Sequence, residues 1–282
     1  MFGCKRRELI YNMKKKNYLS YIILSILAFI CAFPLYTLVI NSFKDRKEIF
    51  SDPLALPTTW KISNFTQAWQ YGNYGQAMKN SLFITVLTVM MVVLVAGFAA
   101  YALQKNTRFS RTFIIYFMAC TAVPVQLFLI PLYGWFQKLH LGNPFGVSLI
   151  YTALYSPFSI LLLRSYLISV PPELEEASKI DGASKLQYYT KILLPIVKPA
   201  FLTIALIVTY WAWGEFVVST TFLTQSPEQN TLIVKFFTLS GRYSAPWGLI
   251  MASGIIISLP IICLFIFFQK YFIKGLAAGS IK

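Results

Sequence analysis

The chain has 282 residues, of which 57% are hydrophobic and 12% charged, with a formal net charge of +15. Soluble domains carry roughly 45–50% apolar and about 25% charged residues, so too few polar groups are present here to cover a globular surface. That argues against a soluble enzyme, a disordered protein and a nucleic-acid binder, and the basic excess fits a membrane protein whose Lys and Arg collect on cytoplasmic loops.

A membrane-spanning helix needs about 20 mostly apolar residues. Six stretches qualify, at 18–40, 82–102, 112–135, 146–169, 200–223 and 248–268. None shows the ten-residue alternation of a membrane barrel strand, so the expected class is an all-α polytopic membrane protein with six transmembrane helices. The first stretch is too long for a signal-peptide core, and its far end, Tyr36 to Ile40, lacks a small-residue cleavage site. It is expected to stay as an anchor. Ahead of it lies a basic leader, 1–17, and 18–282 is expected to form a single membrane domain. Counting Lys and Arg on alternate sides gives 17 against 8. The richer side, which holds both termini, is therefore expected to be cytoplasmic.

Between the spans, two loops are long. The outer one, 41–80, carries Asp52-Pro53 and Leu56-Pro57-Thr58-Thr59-Trp60, turn and aromatic material suited to a membrane surface. Pro34, Pro124, Pro131, Pro157 and Pro260 punctuate the spans, as packing kinks or as bends lining a cavity. Ala96, Gly97 and Ala100 form a small-residue face for close helix packing. Cys31, Cys120 and Cys263 fall inside spans and Cys4 in the leader, so no disulfide is expected. His140 is the sole histidine, with no acid or cysteine near it, and no metal site or catalytic residue is expected.

The inner loop, 171–198, carries the most specific signal. Pro172 can open a helix whose N-terminal dipole Glu173, Glu175 and Glu176 complement. Leu174, Ala177 and Ile180 share one face at helical spacing, and Gly182 supplies a stop. Ser184 is an expected N-cap for a second short helix, which Pro195 is expected to end. The apolar stripe on this helix–turn–helix is left for a partner.

Glu176-Ala177-Ser178, then Gly182 four residues on, then Ile192-Leu193-Leu194-Pro195 resembles the EAA loop of binding-protein-dependent ABC importer permeases, E-A-A-x3-G-x9-I-x-L-P. Ser178 stands where the pattern has a second Ala. Asp181-Gly182-Ala183-Ser184 resembles the longer form of sugar importers, with Tyr189 where Phe is usual. Further matches are Asn41-Ser42-Phe43-Lys44, Pro124 to Leu132, Pro157 to Arg164 and the ending Gly275 to Lys282. Together they are similar to the MalG-type subunit of carbohydrate importers, with a MetI-like permease fold and an EAA coupling helix.

That resemblance implies the partners and the roles. No G-x-x-x-x-G-K-[ST] phosphate loop occurs in the chain, so it would bind no cofactor itself, with ATP and Mg held by a separate ATPase dimer. A second, MalF-like permease subunit would lie beside it in the cytoplasmic membrane of a bacterium or archaeon, and an extracytoplasmic sugar-binding protein would deliver the carbohydrate. The ATPase-docking residues would be Glu175, Glu176, Ala177, Ser178, Asp181, Gly182, Ile192, Leu194 and Pro195. One carboxylate falls inside a span, Glu215 in Tyr210-Trp211-Ala212-Trp213-Gly214-Glu215-Phe216. Intramembrane charges usually face a cavity or a partner. Glu215 with Trp211 and Trp213 is a candidate translocation pathway, and a structural bond between subunits is the other reading. Gly214 stands where the family often has Asn. The outer loop 224–246, with Gln225, Gln229, Asn230 and Gly241-Arg242-Tyr243, would by the same resemblance face the delivery protein or be an ordinary connection. An ion-coupled secondary transporter is the alternative in another class, and the sequence does not name the sugar.

Overall fold

The computed structural model describes residues 2–241 and 246–280, with side chains over 18–241 and 246–269. The regular elements of the described residues are all helices, with no strand among them. In chain order the helices are α1 (Phe2–Asn41), α2 (Arg46–Ser51), α3 (Ser63–Tyr71), α4 (Tyr74–Ala102), α5 (Arg108–Ala122), α6 (Leu129–Lys138), α7 (Pro144–Ile168), α8 (Glu173–Ile180), α9 (Lys185–Gln187), α10 (Leu194–Gly214), α11 (Val217–Leu223), α12 (Leu232–Ser240) and α13 (Trp247–Ser280). A π-helical turn, Tyr188–Leu193, joins α9 to α10. Side chains of the basic leader, of Arg242 and Tyr243, and of the C-terminal segment from Lys270 on lie outside the described residues, so the charges assigned there stay expectations.

Five helical segments are long and apolar enough to cross a membrane: Tyr18–Asn41, Tyr74–Ala102, Pro144–Ile168, Lys185–Gly214 and Trp247–Gln269. They correspond to expected spans one, two, four, five and six. The stretch 112–135 is built differently. Proline forces its predecessor out of the helical region, and Val123, before Pro124, is extended at φ −89°, ψ 121°. The chain passes through a 3-10 turn at Val125–Leu127 and resumes as α6, so two shorter helices replace one. The fifth stretch also shifts. It begins at Lys185 rather than 200 and ends at Gly214, because Glu215 is extended and α11 starts afresh.

The chain gathers into two compact units. The first holds α1 to α3 and the start of α13, to Ile256. Residues 18–36 of α1 are exposed on every side. Past them the Asn41-Ser42-Phe43-Lys44 segment is tied into a knot of backbone contacts. Lys44 is fully buried, and its Nζ donates to the Asp52 carbonyl at 2.8 Å. Asn41 Nδ2 donates to the Pro53 carbonyl at 3.1 Å, and Asn64 Nδ2 to the carbonyls of Ser42 and Lys44. Asp45 caps α2 by accepting from the Glu48 N–H and pairs with Lys61 at 2.9 Å. The expected outer loop 41–80 is therefore largely helical and internally cross-linked.

The second unit, Gly72–Leu239 with Ile257 onward, is built on α4, which packs along α7 and α10. Val92, Ala96 and Ala100 of α4 are fully buried with Val147, Tyr151 and Leu163 of α7 and Val208 of α10. The small residues read from the sequence are what let the helices approach. A Cβ on Gly97 would lie 2.8 Å from the Tyr189 hydroxyl and 3.1 Å from the Phe201 ring, so a larger residue would have to push those aromatics away from α4.

Candidate functional site

Helix α8 forms where the 171–198 pattern places it, opening at Pro172 with Glu173, Glu175 and Glu176 in its first turn. Its two faces differ in chemistry. On one face Glu175 Oε1 lies 2.7 Å from Lys179 Nζ and 3.5 Å from Lys105 Nζ, in the turn after α4. Those contacts, the Lys179 hydrogen bond first, hold the Glu175 carboxyl below its ordinary range. Ser178 is buried on the same side, and its hydroxyl donates to the Glu175 carbonyl at 2.8 Å. The other face is open: Leu174, Glu176, Ala177 and Ile180 are exposed, Ile180 by 87%.

This sorts the nine residues expected to dock. Glu176, Ala177, Asp181 and Gly182 are exposed, and Leu174 and Ile180 join them. Glu175 contacts Lys105 outside α8, and Ser178 is buried with its hydroxyl bonded within the helix. Ile192, Leu194 and Pro195 belong to the foot of the Lys185–Gly214 span, with Ile192 packed against the hydrophobic core. Pro195 does not end a helix, contrary to the sequence expectation. It occupies the first turn of α10, directly after the π turn. The wider turn accommodates a ring and a missing N–H that a regular α-helix would not.

Gly182 makes the stop by geometry rather than by clearance. Its φ is +77°, and a Cβ there would meet nothing within 4 Å. The Ala183 N–H donates to the Ser178 carbonyl at 2.9 Å and the Gly182 N–H to the Lys179 carbonyl at 3.1 Å. These are the two bonds of a Schellman cap, which requires a left-handed residue. Ser184 then starts α9 as expected, with a full capping box: its hydroxyl accepts from the Gln187 N–H while Gln187 Oε1 accepts from the Ser184 N–H.

Glu215 sits at the break between α10 and α11. Its carboxylate accepts from the backbone N–H groups of Val217, Val218 and Ser219 at 2.9 to 3.2 Å. Tyr151 of α7 donates its hydroxyl to Glu215 Oε2 at 2.8 Å and lies 2.6 Å from the Ser219 hydroxyl. The half-buried carboxylate is thus matched by the otherwise unpaired N–H groups that begin a helix. Trp213 is buried, with its indole N–H donating to the Ile257 carbonyl at 3.1 Å. Trp211 is half-buried beside Tyr155 and Phe158, its ring centroid 5.4 and 5.0 Å from theirs. Glu215 and Trp213 therefore have packing partners inside the chain, and Trp211 belongs to an aromatic cluster.

Residues 224–240 of the expected outer loop are more ordered than an ordinary connection. They contain a 3-10 turn at Pro227–Gln229 and helix α12, with Leu232, Val234 and Leu239 buried. Asn80, in the first turns of α4, donates to the carbonyls of Glu228 and Asn230, and Ser81 Oγ accepts from the Leu232 N–H. Sequence reasoning missed Lys105, Tyr151, Ser219 and Asn80 as partners. For Lys105 a signal existed, since four of the chain's ten acids fall in 173–181.

Residues 92–278 match the family of binding-protein-dependent transport system inner membrane components. Over 274 residues the chain is 32% identical to the multiple sugar-binding transport system permease protein MsmG of Streptococcus mutans, spanning 95% of this chain and 99% of that protein. It is 33% identical over 253 residues to the probable ABC transporter permease protein YurM of Bacillus subtilis, spanning 89% and 84%. Its fold is similar to that of a chain in a bacterial ABC transporter involved in import of the acidic polysaccharide alginate. The TM-score is 0.75 at 24% identity, over 91% of this chain and 96% of that one. The chain belongs to the binding-protein-dependent transport system inner membrane component family and is a membrane-embedded permease subunit of an ABC transporter.

Proposed function

We propose that the chain is one of two permease subunits of an ATP-driven importer that carries an oligosaccharide across the cytoplasmic membrane by alternating access. The observation that carries this reading is the open face of α8, where Glu176, Leu174, Ala177 and Ile180 are exposed. A short charged helix with an unpartnered apolar stripe fits a groove on another protein. The separate chain it enters is a nucleotide-binding ATPase, which supplies hydrolysis with ATP and Mg. Closing of an ATPase dimer around nucleotide would move α8, and with it α4 through the Lys105–Glu175 contact, between two states of the permease. The 17-to-8 distribution of basic residues supports a cytoplasmic position for α8 and both termini.

Carbohydrate as substrate rests on the sugar-transport description of MsmG and on the alginate importer whose fold this chain shares. Aromatic faces suit stacking on sugar rings, and the Trp211–Tyr155–Phe158 cluster is the pathway surface we assign, with Glu215 and Trp213 holding the helices around it. The family is binding-protein-dependent, so an extracytoplasmic protein delivers the sugar to the outer loops. The test is uptake of labelled oligosaccharides into proteoliposomes holding the purified complex, its delivery protein and internal ATP. Uptake that stops when ATP is replaced by a non-hydrolysable analogue supports the reading. Uptake driven by an ion gradient without ATP contradicts it.

A further inference from the structure

A groove of about 320 Å³ opens between the end of α4 and the start of α10. Its walls are Leu94 and Phe98 from α4, Tyr189 from the π turn, and Leu194 and Phe201 from α10, and Lys198 is the one charged residue among those lining it. The groove exists because of three local features already described. Gly97 lets the Tyr189 hydroxyl and the Phe201 ring lie against α4. The π turn carries Tyr189 to a position stacked on Phe98, ring centroids 5.8 Å apart. Pro195 allows the span to continue, which sets Lys198 one turn deeper than Leu194. Phe98 is 60% exposed and Leu194 38%, apolar surface left uncovered at the end of the spans that carries α8.

Two chemical demands meet here. The walls call for an apolar chain, and Lys198 calls for an anion at the boundary of that chain. The phosphate of a zwitterionic lipid is already balanced by that lipid's own ammonium, and a helix from another protein would have to bring a carboxylate to this one point of the boundary. An anionic phospholipid satisfies both at once, since lysine snorkels to the headgroup level while its stem lies along hydrocarbon. Basic pockets between spanning helices on the cytoplasmic side suit such headgroups. We propose that this groove binds an anionic phospholipid of the inner leaflet, one acyl chain lying against Leu94, Phe98, Leu194 and Phe201 and the phosphate on the Lys198 ammonium. The leaflet rests on the orientation given above; the site itself does not.

The test uses the assembled importer in phosphatidylcholine nanodiscs with a trace of phosphatidylglycerol bearing a photoreactive acyl chain. Cross-links mapped by mass spectrometry are expected on Phe98, Leu194 or Phe201. Excess unlabelled phosphatidylglycerol should remove them, and excess phosphatidylcholine should not. Lys198→Ala should reduce labelling about fivefold, the loss expected for one basic residue at an anionic surface, with Lys198→Arg retaining it. Lys191→Ala, which changes a lysine outside the groove, should leave it unchanged. Equal labelling by a photoreactive phosphatidylcholine, indifference to Lys198→Ala in an intact complex, or labelling confined to the second permease subunit would overturn the proposal. Orientation is read separately by maleimide access to Lys191→Cys: access from outside overturns the cytoplasmic assignment and leaves the lipid result standing.

Discussion

Glu175 reaches back 3.5 Å to Lys105, in the turn after α4, while its neighbour Glu176 is exposed on the far side of the same helix. Two adjacent acids in one motif thus do different work. Glu175 ties α8 to its own chain, and Glu176 is left open on the face proposed to dock. Replacing Glu176 with Ala is expected to weaken ATPase association on the order of tenfold, as truncation of an interfacial charge does. Glu175→Gln should cost only about 0.2–1 kcal/mol of stability, since the pair is partly solvated. Co-purification of the ATPase with each variant, and thermal unfolding of each complex, check the division.

The Glu175 contact also predicts a direction with pH. Its carboxyl is held below the ordinary value, chiefly by the Lys179 hydrogen bond and then by Lys105. A depressed folded-state value means the contribution is fully present above the unfolded-chain value of about 4.3 and is lost as pH falls through the lower folded value. Thermal stability of the wild-type complex should therefore fall more steeply than that of Glu175→Gln as pH drops through this acid range. A scan of melting temperature against pH, run at low salt where exposed pairs count most, reads the difference.

At Gly182 the strain is in the backbone, with open space where a side chain would go. A non-glycine residue in the left-handed region costs roughly 1–2 kcal/mol, and Asn tolerates it best after Gly. Gly182→Asn is expected to retain most uptake. Gly182→Val should release the Schellman cap, turn α8 out of register and uncouple ATP hydrolysis from transport. Uptake per ATP hydrolysed, measured in proteoliposomes, separates the two variants.

Glu215 gives a contrasting case. Its three N–H donors and one hydroxyl donor all come from within this chain, so Glu215→Ala should destabilise the complex by about 1–3 kcal/mol, leaving the N–H groups at the start of α11 without their acceptor. Tyr151→Phe should destabilise less, and the double variant less than the sum, because the two side chains share one hydrogen bond. Thermal unfolding of the four complexes completes the cycle. Sugar affinity that falls while stability holds would place Glu215 in the pathway instead.

Much of this arrangement is legible in the amino-acid order because local signals suffice. Pro172, the three acids after it and Gly182 delimit α8 from its own residues, and Ser184 with Gln187 marks α9. Pairings across long separations are not local. Tyr151 and Glu215 are 64 residues apart, and nothing beside either one names the other. Proline misleads in both directions: Pro124 breaks an apolar stretch that hydropathy alone joins, and Pro195 sits within a span that hydropathy starts later. Hydropathy measures preference for lipid, whereas a break depends on one missing N–H and on what satisfies the carbonyl it leaves.

The ATPase is expected to meet the open face of α8, the one that carries Ile180. The decisive measurement is photo-cross-linking from Ile180→Cys and, separately, Ser178→Cys, each carrying a benzophenone maleimide in a variant that still assembles. Ile180 is 87% exposed and Ser178 is 3% exposed on the same helix. The predicted result is strong cross-linking of the ATPase from position 180 and little from position 178. Cross-linking from 178 alone, or none from 180 in an intact complex, would contradict it.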